Sequence, residues 1–338
     1  MGGCRAMAMV GGALALGILL CAASAATAAR SQFCVLSVEE TGGDLAILHT
    51  DGHLAAKVRL GERPHEVAVT PDGRTAFVSL FGITDYASRL GTPGTRIARI
   101  DLTRGRLVGW IDTPSDSRAP HGVRLRPPAF TELFVNTEAG SPAFLVFDVR
   151  SGALLRRFAA PKGAHNFVFS SDGRDLFAFA GAQGVYKVDV ASGRVVAHAD
   201  LGSPVRGLRM GRDGSVLAAA NGEVVALAPA DLGVRRRMKA ASPGQLLYLD
   251  QWPDGVIIAP SMSNDGVQIF SVEGRAERFV KTGRTPIQVA RGPDGLAYVG
   301  NVNDDHITVL DPRGDQVRRI GSLNGPNGLG FGACPVGQ

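Results

Sequence analysis

RPHEVAVTPDGRTAFVS, residues 63–79, reads as one hydrophobic strand, a tight turn and a second hydrophobic strand. Val67 and Val69 alternate with their neighbours, the period of a strand that presents opposite faces to its surroundings. Pro71-Asp72-Gly73-Arg74 supplies the turn, since Asp hydrogen-bonds its own backbone and Gly accepts positive φ. The phrase returns as APHGVRLRPPAFTELFVN from Ala119, GAHNFVFSSDGRDLFAFA from Gly163 and SPVRGLRMGRDGSVLAAA from Ser203. It continues as SPGQLLYLDQWPDGVIIAP from Ser242, TPIQVARGPDGLAYVGN from Thr285 and a truncated GPNGLGFG from Gly325. A second phrase interleaves with it seven times: LHTDG, IDLTRG, FDVRSG, VDVASG, LAPADLG, FSVEG and LDPRG. Periods of about 40 to 45 residues with several strands each are the signature of a β-propeller, one blade per repeat.

The fold expected is therefore all-β, a seven-bladed propeller. In blade one, strands A to D are expected at 66–70, 75–80, 96–102 and 106–112, and no helical period competes with them. The last repeat stops after its first strand, GLGFGAC, while FCVLSV near the N-terminus begins in mid-blade. DLAILHT and HLAAKVRL follow it, so three N-terminal strands and one C-terminal strand complete a mixed closing blade. Cys334 would then end the inner strand and Cys34 begin its neighbour.

Residues 1–29 read as an export signal: Arg5 in a positive n-region, an apolar run from Ala6 to Cys21, then small residues suited to cleavage. Leu20 before Cys21 matches a lipoprotein site poorly, and no later stretch is long and apolar enough to span a bilayer. The propeller domain is expected over 31–334, in the periplasm or outside the cell, with no integral membrane segment. Of four cysteines, Cys4 and Cys21 leave with the signal, and the remaining Cys34 and Cys334 read as one disulfide in an oxidising compartment. Closing nearly the whole chain in one loop contributes roughly 4 to 5 kcal/mol in loop-entropy models.

The net charge of +5 is modest, and aromatic residues make up only 6% of the chain. Arg156-Arg157, Arg235 to Arg237 and Arg318-Arg319 fall on expected outer strands, dispersed around the disc. Nucleic-acid binding would need a clustered patch with interleaved aromatics, so no nucleic-acid partner is expected. The arginines read as edge charges that discourage strand-to-strand aggregation.

Short A–B and C–D turns share one face of such a disc. The other face carries the elaborated loops: residues 81–95 (FGITDYASRLGTPGT), 112–120, NTEAGSP, PSMSND and NVNDD. Variable loops on a rigid scaffold are where ligand chemistry usually sits. The 81–95 loop, with Tyr86, is the candidate lid. His65, His121 and His165 occupy one repeat position at the entrance of strand A in three consecutive blades. Inner strands crowd around the central channel, so the imidazoles should converge near its mouth and cost within roughly 1 kcal/mol on replacement by Ala, as for substitutions outside the core. Glu66 follows His65, Asn166 follows His165, and Glu138 ends a strand on the same face. Arg206, Gln245, Gln288 and Asn327 come from the remaining blades at or next to that level. Three His and a carboxylate suit zinc or another first-row divalent ion. Glu66, Glu138 and Arg206 are the candidate catalytic groups, and Tyr86, Asn166, Gln245, Gln288 and Asn327 the candidate ligand contacts. His49, His53, His198 and His306 fall on outer strands or turns and read as surface residues. No G-x-S-x-G elbow, Walker loop or dinucleotide motif is present.

PHEVAVTPDGRTAFVS, IDLTRGRLV, PHGVRL, FVNTE, VDVASGRVV and GPDGLAYVGN resemble the YVTN-type bacterial propellers, the YncE-like and lactonase-like superfamily. The resemblance covers essentially the whole mature chain and implies the seven-bladed fold. It spans lactonases, a muconate-lactonising enzyme, quinoprotein dehydrogenase propellers and proteins without known activity. Exported zinc-chaperone propellers are similar too, although this chain lacks their His-rich arm. The expected function is an exported small-molecule hydrolase or lactonase-like enzyme with a His-rich, metal-binding channel mouth. The alternative is a non-catalytic propeller that binds a metal ion or a partner protein.

Overall fold

The computed structural model describes residues 33–61, 63–84, 90–321 and 323–336. Over these residues the chain forms seven four-stranded antiparallel sheets. Blade one runs Pro64–Val69, Thr75–Leu80, Arg96–Asp101 and Arg106–Asp112, within a residue or two of the sequence expectation. The seventh sheet has the order Pro326–Ala333, Phe33–Glu39, Asp44–Leu48, Leu54–Arg59, so the mixed closing blade is realised. Cys34 lies opposite Gly332 in that register, and the Cys34–Cys334 disulfide spans a Cα–Cα distance of 5.0 Å. The segment read as an export signal and Tyr86 lie outside the described residues. Among the described residues no helix is long and apolar enough to cross a membrane.

The core lies in the seams between blades. Phe134, Phe144 and Val146 of blade two pack with Phe167, Phe169 and Leu176 of blade three. Leu36, Val38 and Ile47 of the closing blade pack with Val67, Val78 and Ile100 of blade one. Every blade thus depends on both neighbours, and the disulfide lies in the seam where the ring closes. Each outer strand pairs with its neighbour through a register shift, as at Arg99/Ile100 and Val146/Phe147. Bulges of this kind raise strand twist, which an outer blade edge needs.

The A–B turns follow the chemistry of their sequence. Asp72 Oδ1 accepts from Thr70 Oγ1 (2.6 Å) and from the Arg74 backbone N–H (3.0 Å), with Gly73 at φ 71°. Ser170, Asp172 and Arg174 repeat the arrangement in blade three. These bonds hold the Asp72 and Asp172 carboxyls below the usual carboxylate range.

Candidate metal centre at the channel mouth

Strand A begins the same way in several blades. Arg63 (φ 47°), Ala119 (φ 56°), Gly163 (φ 73°) and Gly325 (φ 71°) are left-handed. Pro64, Pro120, Ala164 and Pro326 follow them. Only glycine adopts that region without cost, so Arg63 and Ala119 hold a kink that their surroundings enforce. Arg63 O accepts the Phe81 N–H (3.1 Å) and the Ala119 N–H donates to Gly94 O (2.7 Å), both tying strand A to the 81–95 loop. Counting back from each A–B turn, the next residue in the seven blades is His65, His121, His165, Arg206, Leu247, Ile287 and Asn327.

The three imidazoles converge as the sequence predicts. Ring centroids lie 4.1 Å apart for His65–His121 and 4.0 Å for His121–His165. They do not face open channel, however: His65, His121 and His165 are 1%, 0% and 5% exposed. Phe81, itself buried, meets His65 and His121 edge-on at 5.4 and 4.7 Å. Burial this complete corrects the expectation that these side chains add little to packing.

Glu138 is the carboxyl group beside these rings. Its side chain is 6% exposed, and Oε1 lies 2.8 Å from His165 Nδ1 and 3.9 Å from His121 Nδ1. Donor atoms of His121, Glu138 and His165 all lie within 4.8 Å of one another. His65 is positioned differently: its Nε2 lies 3.2 Å from Asn327 Nδ2, which also donates to Glu40 Oε2 (2.8 Å).

Two side chains that the sequence reading passed over fix the imidazole backbone. Ser79 Oγ donates to His121 O (2.6 Å) and accepts from Glu66 N (3.2 Å). Asn136 Nδ2 donates to His165 O (3.1 Å), and its Oδ1 accepts from Gly122 N (2.8 Å). Ser79 and Asn136 hold equivalent positions on strand B, each bonding the His carbonyl of the next blade. Their signal was a polar residue recurring inside otherwise apolar strands, TAFVSL and ELFVNT.

One residue further along strand A lies a polar belt. Glu66, Gly122, Asn166, Gly207, Tyr248, Gln288 and Gly328 occupy this level. Asn166 Nδ2 donates to Tyr248 Oη (3.2 Å) across the blade that bears Gly207, and Gln288 Nε2 donates to Glu66 Oε2 (3.5 Å) across the blade that bears Gly328. A Cβ at Gly122 would strike Asn166 Oδ1, and one at Gly328 would strike His65 O. Glycine at these places lets neighbouring side chains lie across the channel. Glu66 also accepts from Arg124 Nη1 (3.1 Å), so it belongs to the belt, below the histidines.

Of the other candidates, Arg206 sits at the His level and is half-buried. Gln245 lies upstream, its Nε2 donating to Leu246 O (2.7 Å). His306 departs from expectation: it is 2% exposed, with Nε2 donating to Thr282 O (3.0 Å). It is a structural residue of blade six, not a surface one.

No protein-family model matches this chain, and no curated protein matches it. Solved structures share its fold. Hydrazine synthase of Kuenenia stuttgartiensis aligns with TM-score 0.67 at 17% identity, over 82% of this chain and 91% of that one. A functionally unknown protein from Desulfotomaculum acetoxidans aligns with TM-score 0.69 at 12% identity, over 89% and 99%. The dihydro-heme d1 dehydrogenase NirN, solved in complex with DHE, aligns with TM-score 0.64 at 14% identity, over 88% and 74%. At these identities the likeness establishes the propeller fold.

Proposed function

We propose that this protein is an exported propeller that binds a divalent first-row metal ion, zinc fitting best, through His121, His165 and Glu138. The observation that carries the reading is the closeness of three buried donor groups of the right kind. Ligand atoms of a tetrahedral zinc ion lie about 3.3 Å apart, given bonds of about 2.0 to 2.1 Å. The two His–Glu138 distances of 2.8 and 3.9 Å bracket that value. Ser79 and Asn136 hold the ligand-bearing strands from behind, the role outer partners play in metal sites. Export is supported by the signal-like N-terminal segment and the Cys34–Cys334 disulfide.

Within that reading the site serves hydrolysis of a small molecule, in line with the resemblance to YVTN-type, lactonase-like propellers. A bound ion with an open position would lower the pKa of its water and polarise a carbonyl. His65, packed against His121 with its ring tilted by 45° and bonded by Asn327, would move a proton beside it. Arg206, Tyr86, Gln245 and Asn166 are the candidate substrate contacts, and the 81–95 loop is the gate. The rival reading is a non-catalytic metal binder, favoured by the burial of all three rings beneath Phe81.

Elemental analysis of protein purified from an exporting host tests the site. About one equivalent of metal per chain is expected, falling towards none in H121A, H165A and Glu138→Gln variants. A metal-free wild type, or variants that keep their metal, would overturn it. Metal-dependent hydrolysis of a lactone panel then separates enzyme from binder: turnover that H65A abolishes without metal loss supports the enzyme.

A further inference from the structure

On the A–B turn side of the polar belt lies a cavity of about 400 Å³. That volume lies within the range of small-molecule sites, about 300 to 1,000 Å³. Its walls come from strand A of all seven blades, with Val67, Val168, Leu208, Val289 and Leu329 among the apolar residues. Tyr248 lines it from above and bonds Asn166, so the belt stands between this cavity and the histidines.

Two arginines reach the cavity, Arg124 from blade two and Arg209 from blade four, with Val168 of blade three between them. Each is oriented by a buried carboxylate. Arg124 Nη1 lies 3.1 Å from Glu66 Oε2, with side-chain exposures of 27% and 1%. Arg209 Nη2 lies 2.9 Å from Asp250 Oδ1, with exposures of 38% and 7%. Glu66 is thus withdrawn into the wall, whereas Asp250 lines the cavity beside Arg209. Among the described residues Arg124 engages its partners through Nη1, Glu66 and the Val123 carbonyl, and Arg209 meets Asp250 through Nη2, so in each guanidinium other N–H groups remain for a ligand. Asp250 has its own backbone donors, Gln251 N (2.6 Å) and Arg291 N (2.9 Å). It holds Arg209 without depending on it.

We propose that this turn-face half of the channel is a second binding site, for a small aliphatic dicarboxylate. A planar guanidinium offers paired donors that match a carboxylate's two oxygens, and pre-orientation reduces the ordering cost of binding. Two such groups separated by an apolar wall fit two carboxylates joined by a short hydrocarbon spine. A monocarboxylate would leave one guanidinium unmatched, and inorganic phosphate would leave the apolar wall unused.

Titration calorimetry with succinate, glutarate and adipate, against butyrate and phosphate, tests the proposal on the full mature chain. At least one dicarboxylate should bind about 10-fold or more tightly than butyrate, the scale of one charge-assisted hydrogen-bonded pair. Arg209→Met should weaken that binding by about 10- to 100-fold on the same scale. Ala290→Phe, which fills the cavity and leaves both ion pairs in place, should abolish it, and the double H121A/H165A variant should leave it unchanged. Absence of dicarboxylate binding, preference for phosphate, or binding that survives Ala290→Phe would overturn the assignment.

Discussion

His165 and His306 are both buried, at 5% and 2% exposure, yet their surroundings assign them to different work. His306 is satisfied by the backbone around it, including the carbonyl that follows the outer strand of blade five. Nε2 donates to Thr282 O (3.0 Å), while Nδ1 lies 3.1 Å from Arg319 Nη2, a cation that would repel any metal. His165 instead shares the Glu138 carboxylate with a second imidazole contributed by another blade. Burial alone therefore says little about a histidine. What separates the two is whether the ring faces carbonyls and cations or a carboxylate with another imidazole beside it.

The sharpest way to break this contrast is metal content. The H121A/H165A double variant should lose about one equivalent of metal per chain, whereas H306A should keep it. Equal metal content in both would show that the channel-mouth cluster is not the site. Next in size is the ring closure that both histidines rely on. Replacing Cys34 and Cys334 with Ala should cost roughly 2 to 5 kcal/mol, read by denaturant melts with and without reductant, and leave metal stoichiometry in the folded protein unchanged. A comparable loss is expected in the seam behind His165, where Phe167→Ala should cost about 3 to 5 kcal/mol through cavity formation.

H306A should then cost about 0.5 to 1.5 kcal/mol, because it removes one of the two donors to the buried Thr282 carbonyl, Thr308 Oγ1 (2.9 Å) being the other. An unchanged melting temperature would sink the structural role argued for this residue. The smallest expected effect concerns pH. Turn carboxyls such as Asp72, Asp172 and Asp213 are held below their ordinary value by hydroxyl and backbone donors. A depressed folded-state pKa contributes stability that is present above the unfolded value and lost as pH falls through the folded one. The turn face should therefore loosen below about pH 4, and Asp72→Asn should blunt that dependence slightly in melts across the acid range. A pH profile identical to that of the wild type would remove Asp72 from the account.

Much of the molecule was legible in the chain itself. The sevenfold phrase fixed blade number, and RPHEVAVTPDGRTAFVS located strands and turn to within a residue or two. The unmatched first strand GLGFGAC demanded the N-terminal FCVLSV beside it, and so brought Cys34 to Cys334. The same repeat put His65, His121 and His165 at one level of the channel, because a residue's place along a strand is set by its distance from the turn. The direction a side chain takes from that place depends on the next blade, far away in sequence. Only the tertiary structure could place Phe81 over two imidazoles, give Glu138 to His165 and Asn327 to His65, and bury His306. Ser79 and Asn136 likewise look like lapses in apolar strands until the neighbouring backbone shows the carbonyls they bond. Period determines level and face; packing between blades, which no local pattern records, determines partners.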